Sequence, residues 1–226
     1  MDFLDIYRRE GERYQRMIAA EDFQHNLKST LTALLPAHPA NLLDLGSGTG
    51  RLPCLLDDTC GRITALDLHR DMLLQQPSAD TLAILQSDMR SLPFEQRQFE
   101  VVSAGWAIGH LVGWYASDWQ TQVDAVLNEM QRVVLPGGTL LIMETFSTGA
   151  LQPAPPTSGL AALYTWFEEH WGFQRKVIAT DYLFRSVEEA CDLTGFFFGE
   201  ELVQKIKDNN WRRLPEWTGV WCRHAV

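Results

Sequence analysis

Three acids and three glycines in the first half of the chain have the types and the spacing to hold a polar, sugar-bearing ligand. Asp44 lies in LLDLGSGTGRL (42–52), Asp67 in RITALDL (62–68), and Asp88 closes LAILQSD (82–88). Each sits at the end of a short apolar run of β type, the pattern of a strand covered on both faces in a parallel sheet. Open α/β sheets bind ligands at the carboxyl ends of such strands. A carboxylate at the end of the second strand can accept from both hydroxyls of a ribose, a charge-assisted pair of bonds. Gly46, Gly48 and Gly50 alternate directly after the first strand, where they give the backbone unusual dihedrals and close approach to a ligand.

The elements that must position these residues follow from periodicity. Two helices are expected ahead of the sheet, at about 3–9 and 21–35, with Gly11 as a break and Pro36 and Pro39 closing the helical part. After the first strand come a helix at 51–57, a strand at 62–68, a helix near 70–76, strands at 82–88 and 99–105, and a long amphipathic helix from about 117 to 134. LPGG reads as a type II turn before a fifth strand at 138–146. Five strands alternating with helices imply an α/β fold with a parallel, doubly wound sheet. Beyond it, 151–158 is a proline-rich loop and 160–171 a helix ended by Gly172. A sixth strand is expected at 173–184, a helical pair over Val187 to Lys207 as an insertion, and a last strand in TGVWCRHA. Placing the sixth strand at Phe196 to Phe198 is the alternative.

Bulk properties narrow the partners. A chain of 226 residues is most simply one domain with a sizeable core. A net charge of −10 argues against a nucleic-acid backbone or an anionic membrane as the main partner. The four cysteines form no CxxC pair, no metal-ligand spacing of His and Cys stands out, and no apolar run reaches the ~20 residues of a membrane span. The start, MDFLDIYRRE, is charged from its second residue and is no secretory signal. A cytoplasmic protein is expected.

The glycine spacing separates the nucleotide folds. GSGTGR is GxGxG with Arg51 where a dinucleotide fingerprint carries its third glycine, and no GxxxxGK[ST] is present. With ALDLHRDML, QSDMRSLPF and EMQRVVLPGGTLLIMET following in that order, residues 40–146 resemble the class I S-adenosylmethionine-dependent methyltransferases. The flanks, 1–35 and 151–226, are similar to those of a group of bacterial, small-molecule-type members without an assigned acceptor. The resemblance implies a Rossmann-like, doubly wound, seven-stranded, mostly parallel sheet with an antiparallel last strand, extra N-terminal helices and a C-terminal helical insertion. It implies one methyltransferase domain over 1–226, with an N-terminal helical lid (1–36), a cofactor-binding core (40–146) and a substrate-side part (151–226).

By the same resemblance, Gly46, Ser47, Gly48 and Gly50 lie against the methionine part of S-adenosylmethionine, and Asp44 helps hold its amino group. Asp67 takes the ribose hydroxyls, with Leu68 and Met72 beside the adenine. Asp88 accepts from the adenine amino group, Met89 offers a backbone donor to the ring, and Gly105 and Trp106 border the sulfonium. Acidic and apolar groups suit a cationic, aromatic ligand without phosphate. Plainer readings stand beside these: Asp44 as a turn cap, Leu68 and Met72 as core.

In-line displacement on a sulfonium carbon, leaving S-adenosylhomocysteine, needs orientation and exclusion of water more than activation. His110, in WAIGHLVGW after the fourth strand, is the candidate base, since its near-neutral titration suits proton removal; a structural histidine fits as well. Glu144 is a second candidate on the acceptor side. Trp166, Trp171, Phe173, Tyr182 and Phe196 to Phe198 wall an acceptor pocket or simply pack a core. The expected activity is methylation of a small molecule by a monomer or homodimer, with no nucleic acid and no membrane as partner. The alternatives are a non-catalytic sensor or partner subunit that keeps the cofactor site, and a nicotinamide-dependent oxidoreductase.

Overall fold

The computed structural model describes residues 11–225. The elements run α1 (Gly11–Ala19), α2 (Asn26–Leu34), β1 (Asn41–Leu45), α3 (Arg51–Leu56), β2 (Arg62–Asp67), α4 (Arg70–Leu73), β3 (Leu82–Gln86), β4 (Phe99–Gly105), α5 (Gly109–Trp114), α6 (Trp119–Val133) and β5 (Val134–Thr148). After these come α7 (Ser158–Thr165), β6 (Gln174–Ala179), β7 (Tyr182–Leu183), α8 (Val187–Phe198), α9 (Glu200–Asp208), β8 (Arg213–Leu214) and β9 (Glu216–His224).

Seven strands form one sheet in the order β3-β2-β1-β4-β5-β9-β6. β1 pairs in parallel with β2 and β4, β2 with β3, and β4 with β5. β9 runs antiparallel beside β5, where Gly137 N–H donates to Ala225 and Ala225 N–H to Gly138. This is the Rossmann-like, doubly wound architecture expected. The continuous apolar runs explain it: Leu42, Leu43 and Leu45 in β1, Val101 and Val102 in β4, and Leu140 to Met143 in β5 are all buried. Such strands are stable only with helices on both faces. α6 supplies part of that cover, burying Val123, Val126, Leu127, Met130 and Val133 at the spacing of one helix face.

The chain divides into two compact units. One holds Lys28–Glu144, Pro155–Lys176 and Gly219–Val226; the other holds Met1–Leu27, Thr145–Ala154 and Val177–Thr218. In the second unit Met17 packs with Tyr182, Phe184, Leu193, Leu202 and Ile206. Among the described residues, no helix is long and apolar enough to cross a membrane.

Local chemistry moved several boundaries. The helix expected at 3–9 lies outside the described residues, and Gly11 opens a helix instead of breaking one. α2 starts at Asn26, not 21, because Asp22, at φ +53°, turns its carboxylate onto the Asn26 and Leu27 N–H groups, both at 2.9 Å. No helix links β3 to β4; Arg132 and Glu129 of α6 take up the backbone of that loop, Arg132 at the Phe94 carbonyl (2.7 Å) and Glu129 at the Leu92 N–H (2.6 Å). The LPGG stretch belongs to β5: the register jumps from Phe99↔Val134 to Val101↔Thr139, so the extra residues bulge out with Gly137 at φ +75°. The strand expected at 173–184 splits in two. β6 joins the large sheet and β7 pairs with β8, while Asp181 between them receives Arg213 Nε (2.6 Å) and Glu216 N–H (3.0 Å). The helical pair is present, broken at Gly199 (φ +83°).

Candidate functional site

The carboxyl ends of β1, β2 and β4 gather in one unit, and a network of short contacts joins them. Asp44, in β1, is 1% exposed and receives the Ser103 hydroxyl of β4 at 2.8 Å. Burial pushes its carboxyl up to about 7, against the pull of hydrogen bonds from Ser103 and Ser47.

The turn after β1 is left-handed at Gly46 (φ +65°), Gly48 (φ +55°) and Gly50 (φ +89°). At Gly46 the need for glycine is also steric, since a Cβ there would overlap the Ala107 side chain. Asp67, at the end of β2, grips this turn: one carboxylate oxygen accepts the Gly48 N–H at 2.9 Å and the other the His69 N–H at 2.8 Å. Directly after it, Leu68 is 49% exposed, whereas Met72 is buried with its methyl 3.6 Å from where a Cβ on Gly48 would stand. An exposed leucine beside a buried acid offers a flat apolar surface with a polar edge.

Asp88 is placed differently. Both of its oxygens are engaged by Arg90, through Nε at 3.0 and 3.1 Å, Nη2 at 2.7 Å and the backbone N–H at 2.8 Å. The guanidinium holds the Asp88 carboxyl below its usual range. Arg90 also donates to the Tyr115 hydroxyl (2.9 Å) and to Gln122 (2.7 Å). Met89 sits half-buried between the two.

The second cluster surrounds α5, an element the sequence did not announce. Gly105 ends β4 where a Cβ would press on Leu52 at 2.8 Å. Trp106 follows at φ +52°, with its N–H on the Met143 carbonyl at 2.7 Å and its ring beneath the Arg51 guanidinium, 3.5 Å from the centroid. Glu144, 6% exposed, accepts the Gly109 N–H at 2.8 Å and so caps the first turn of α5. Burial raises its carboxyl to about 7. His110, one residue along, stacks on Trp114 at 5.2 Å and bonds to the Trp106 backbone. Burial lowers its basicity, opposed by the negative charge of Asp67.

The structure thus brings Asp44, Ser47, the three glycines, Asp67 and Met72 into one contact group. Gly105, Trp106, His110 and Glu144 form a second group, linked to the first through Asp44–Ser103, Gly46–Ala107 and the field of Asp67 at His110. Four participants were missed. Ser103 was detectable, as a polar residue inside the buried strand FEVVSAG. Arg51, Arg90 and Gln76, whose amide nitrogen donates to the Gly48 carbonyl, left no signal, because these contacts join segments distant in sequence.

A family model for a methyltransferase domain matches residues 43–142. A ubiquinone/menaquinone biosynthesis C-methyltransferase of Legionella pneumophila (strain Corby) is 28% identical over an alignment of 176 residues that covers 72% of this chain and 64% of that protein. The chain therefore spans just under two thirds of that relative's length. A dTDP-3-amino-3,6-dideoxy-alpha-D-glucopyranose N,N-dimethyltransferase of Streptomyces fradiae is 33% identical over 122 residues, covering 52% of this chain and 46% of the other. Among solved structures, a Haemonchus contortus phosphoethanolamine N-methyltransferase in complex with S-adenosylhomocysteine superposes with a TM-score of 0.54 at 16% identity. That match covers 88% of this chain and 52% of the other.

Proposed function

We propose that this chain is a class I S-adenosylmethionine-dependent methyltransferase that moves a methyl group from that cofactor to an O, N or C atom of a small molecule, a reading supported by the methyltransferase-domain match over residues 43–142. The reading is carried by one observation: the Asp67 carboxylate, at the end of β2, is hydrogen-bonded to the Gly48 N–H of the glycine turn. That bond joins a ribose-type acid to a turn in which no side chain beyond Cα fits at Gly46.

The residues present suit the cofactor. The exposed Leu68 and the buried Met72 offer an apolar face for an adenine. Asp67 Oδ2, which accepts the Gly48 N–H, keeps a lone pair for a ribose hydroxyl, while Oδ1 accepts the His69 N–H and also lies 3.4 Å from the His69 ring nitrogen. Asp44 and the turn of Gly46, Ser47, Gly48 and Gly50 provide a buried carboxylate and close backbone for the ammonium and the tail. Met89 contributes its backbone at the adenine edge, and Asp88 serves the adenine amino group only by giving up an Arg90 contact. Gly105 and Trp106 border the sulfonium side.

When bound, S-adenosylmethionine supplies an electrophilic methyl group that needs little further activation. The chain's own task is to orient the acceptor in line and to keep water out. Where the acceptor must lose a proton, His110 is the candidate to take it; burial lowers its basicity, and stacking on Trp114 and the Trp106 bond hold it on α5.

Thermal-shift titration with S-adenosylhomocysteine and with NADH tests the cofactor. Stabilisation by the first alone is expected, and a preference for NADH would overturn the reading. One observation favours a second reading, a cofactor-binding sensor or partner subunit: Glu144 is committed to the α5 backbone, which leaves His110 as the remaining candidate base. Incubation with labelled cofactor and a metabolite extract separates the two. Label in a small-molecule product supports the enzyme; none, beside an active control, supports the sensor.

A further inference from the structure

Gln76 lies three residues beyond α4, outside every motif that pointed to the site. Its amide nitrogen nevertheless donates to the Gly48 carbonyl at 2.8 Å and to the Ser47 hydroxyl at 3.2 Å. Its amide oxygen is buried without a hydrogen-bond partner, packed so closely on Gly50 that a Cβ there would meet it at 3.2 Å and the amide carbon at 3.1 Å. A buried amide oxygen left unpaired costs stability. The side chain is thus held in place by what its nitrogen does for the turn.

Gly48 is then gripped from both sides. Asp67 receives its N–H and Gln76 supplies a donor to its carbonyl. The peptide from Gly48 to Thr49 is planar and trans, so its carbonyl and its N–H point in opposite directions. With the carbonyl drawn toward Gln76, the Thr49 N–H faces away from Gln76, on the other side of the turn.

We propose that Gln76 is a positioning residue for the amino-acid tail of the cofactor: it holds the Gly48 carbonyl so that the Thr49 N–H is presented to the tail's carboxylate. The proposal rests on the methyltransferase reading and assigns a role to a residue outside the site as first drawn. Gln76 acts through the backbone and touches no reacting atom.

The test compares two ligands that share the sugar and the base. S-adenosylhomocysteine carries the amino-acid tail, and 5′-methylthioadenosine lacks it. Calorimetry is run on the wild-type protein, on Gln76→Met, which keeps the bulk and removes the donor, and on Gln76→Glu, which keeps the shape and puts an acceptor against the Gly48 carbonyl. Both variants are expected to bind S-adenosylhomocysteine about tenfold more weakly, while 5′-methylthioadenosine changes by less than about twofold. Equal losses for the two ligands would show a general scaffold role and overturn the proposal, as would unchanged affinity for S-adenosylhomocysteine. A wild-type protein that binds neither ligand would instead bring down the functional reading, and the proposal with it, before any substitution is made.

Discussion

At the scale of single residues the site depends on two carboxylates with different partners, backbone N–H groups for Asp67 and a serine hydroxyl for Asp44. Asp67 is fixed by the Gly48 and His69 backbone donors, which aim its two oxygens. Asp67→Ala is expected to weaken S-adenosylhomocysteine binding by about 1–3 kcal/mol, the loss typical of charged hydrogen bonds. Calorimetry checks it, and an unchanged affinity would remove the ribose role. Asp44 is buried with hydroxyl partners, and its carboxyl titrates near 7 instead of its ordinary 3.8. Below that pH it is mostly protonated, and an ammonium-bearing tail must expel the proton to make its ion pair. Affinity for S-adenosylhomocysteine should therefore rise by up to about tenfold per pH unit as the pH climbs toward about 7, and level off above it. Asp44→Asn should be weaker throughout and flat across that window. A wild-type profile without slope, measured at constant ionic strength, would separate Asp44 from the tail.

At the scale of elements, α5 shows why local reading fell short. GHLVGW is short, opens on a glycine and contains another, so nothing in its propensity announces a helix. It forms because Glu144, from the neighbouring strand β5, takes up the Gly109 N–H at its first turn. Gly109 is required for this contact, since a Cβ would meet the Glu144 carboxylate at 2.8 Å. Glu144 is a second candidate for the acceptor side by sequence; in the structure its carboxylate supports the helix that carries His110. The arrangement has a pH signature. Glu144 titrates near 7 in the folded chain and near 4.5 when unfolded, so folding favours its neutral form. Its contribution is complete below about pH 4.5, is lost as the unfolded state ionises ahead of the folded one, and stays lost above about 7. Glu144→Gln keeps an acceptor for Gly109 and carries no charge. It should be close to neutral at about pH 4 and stabilising by on the order of 2 kcal/mol at about pH 8. Urea unfolding at the two pH values measures this, and a variant less stable than wild type at the higher pH would refute it.

At the scale of the molecule, the sheet was legible because its strands are covered on both faces. LLDL, FEVVSAG and LLIME are apolar runs that tolerate no other placement, and β4 came out at the expected residues. The edges were less legible. β3 leaves Ile84 49% exposed, and the strand sought at 173–184 divides where Asp181 turns the chain toward Arg213. A two-residue strand such as β7 is fixed by its partner and carries no period of its own. The site followed the same rule: acids and glycines at the ends of strands could be read, while Gln76 and Arg90, which act across loops, could not. This ordering predicts where a ligand should leave its mark. Parallel strands place the Gly46–Gly50 and Asp67–Met72 segments at one end of the sheet, and the Ala40–Asn41, Gly61–Arg62 and Gln98–Glu100 contacts at the other. Binding of S-adenosylhomocysteine should slow amide exchange in the first set by local closure and leave the second near its free rate, because local opening free energies are set by local contacts. Residues 46–52 and 67–76 are the peptides to follow by mass spectrometry. Protection equal at both ends would mean that the ligand stabilises the sheet as a whole instead of bridging the carboxyl ends of β1 and β2. Protection confined to the amino end would place the site on the wrong side of the molecule.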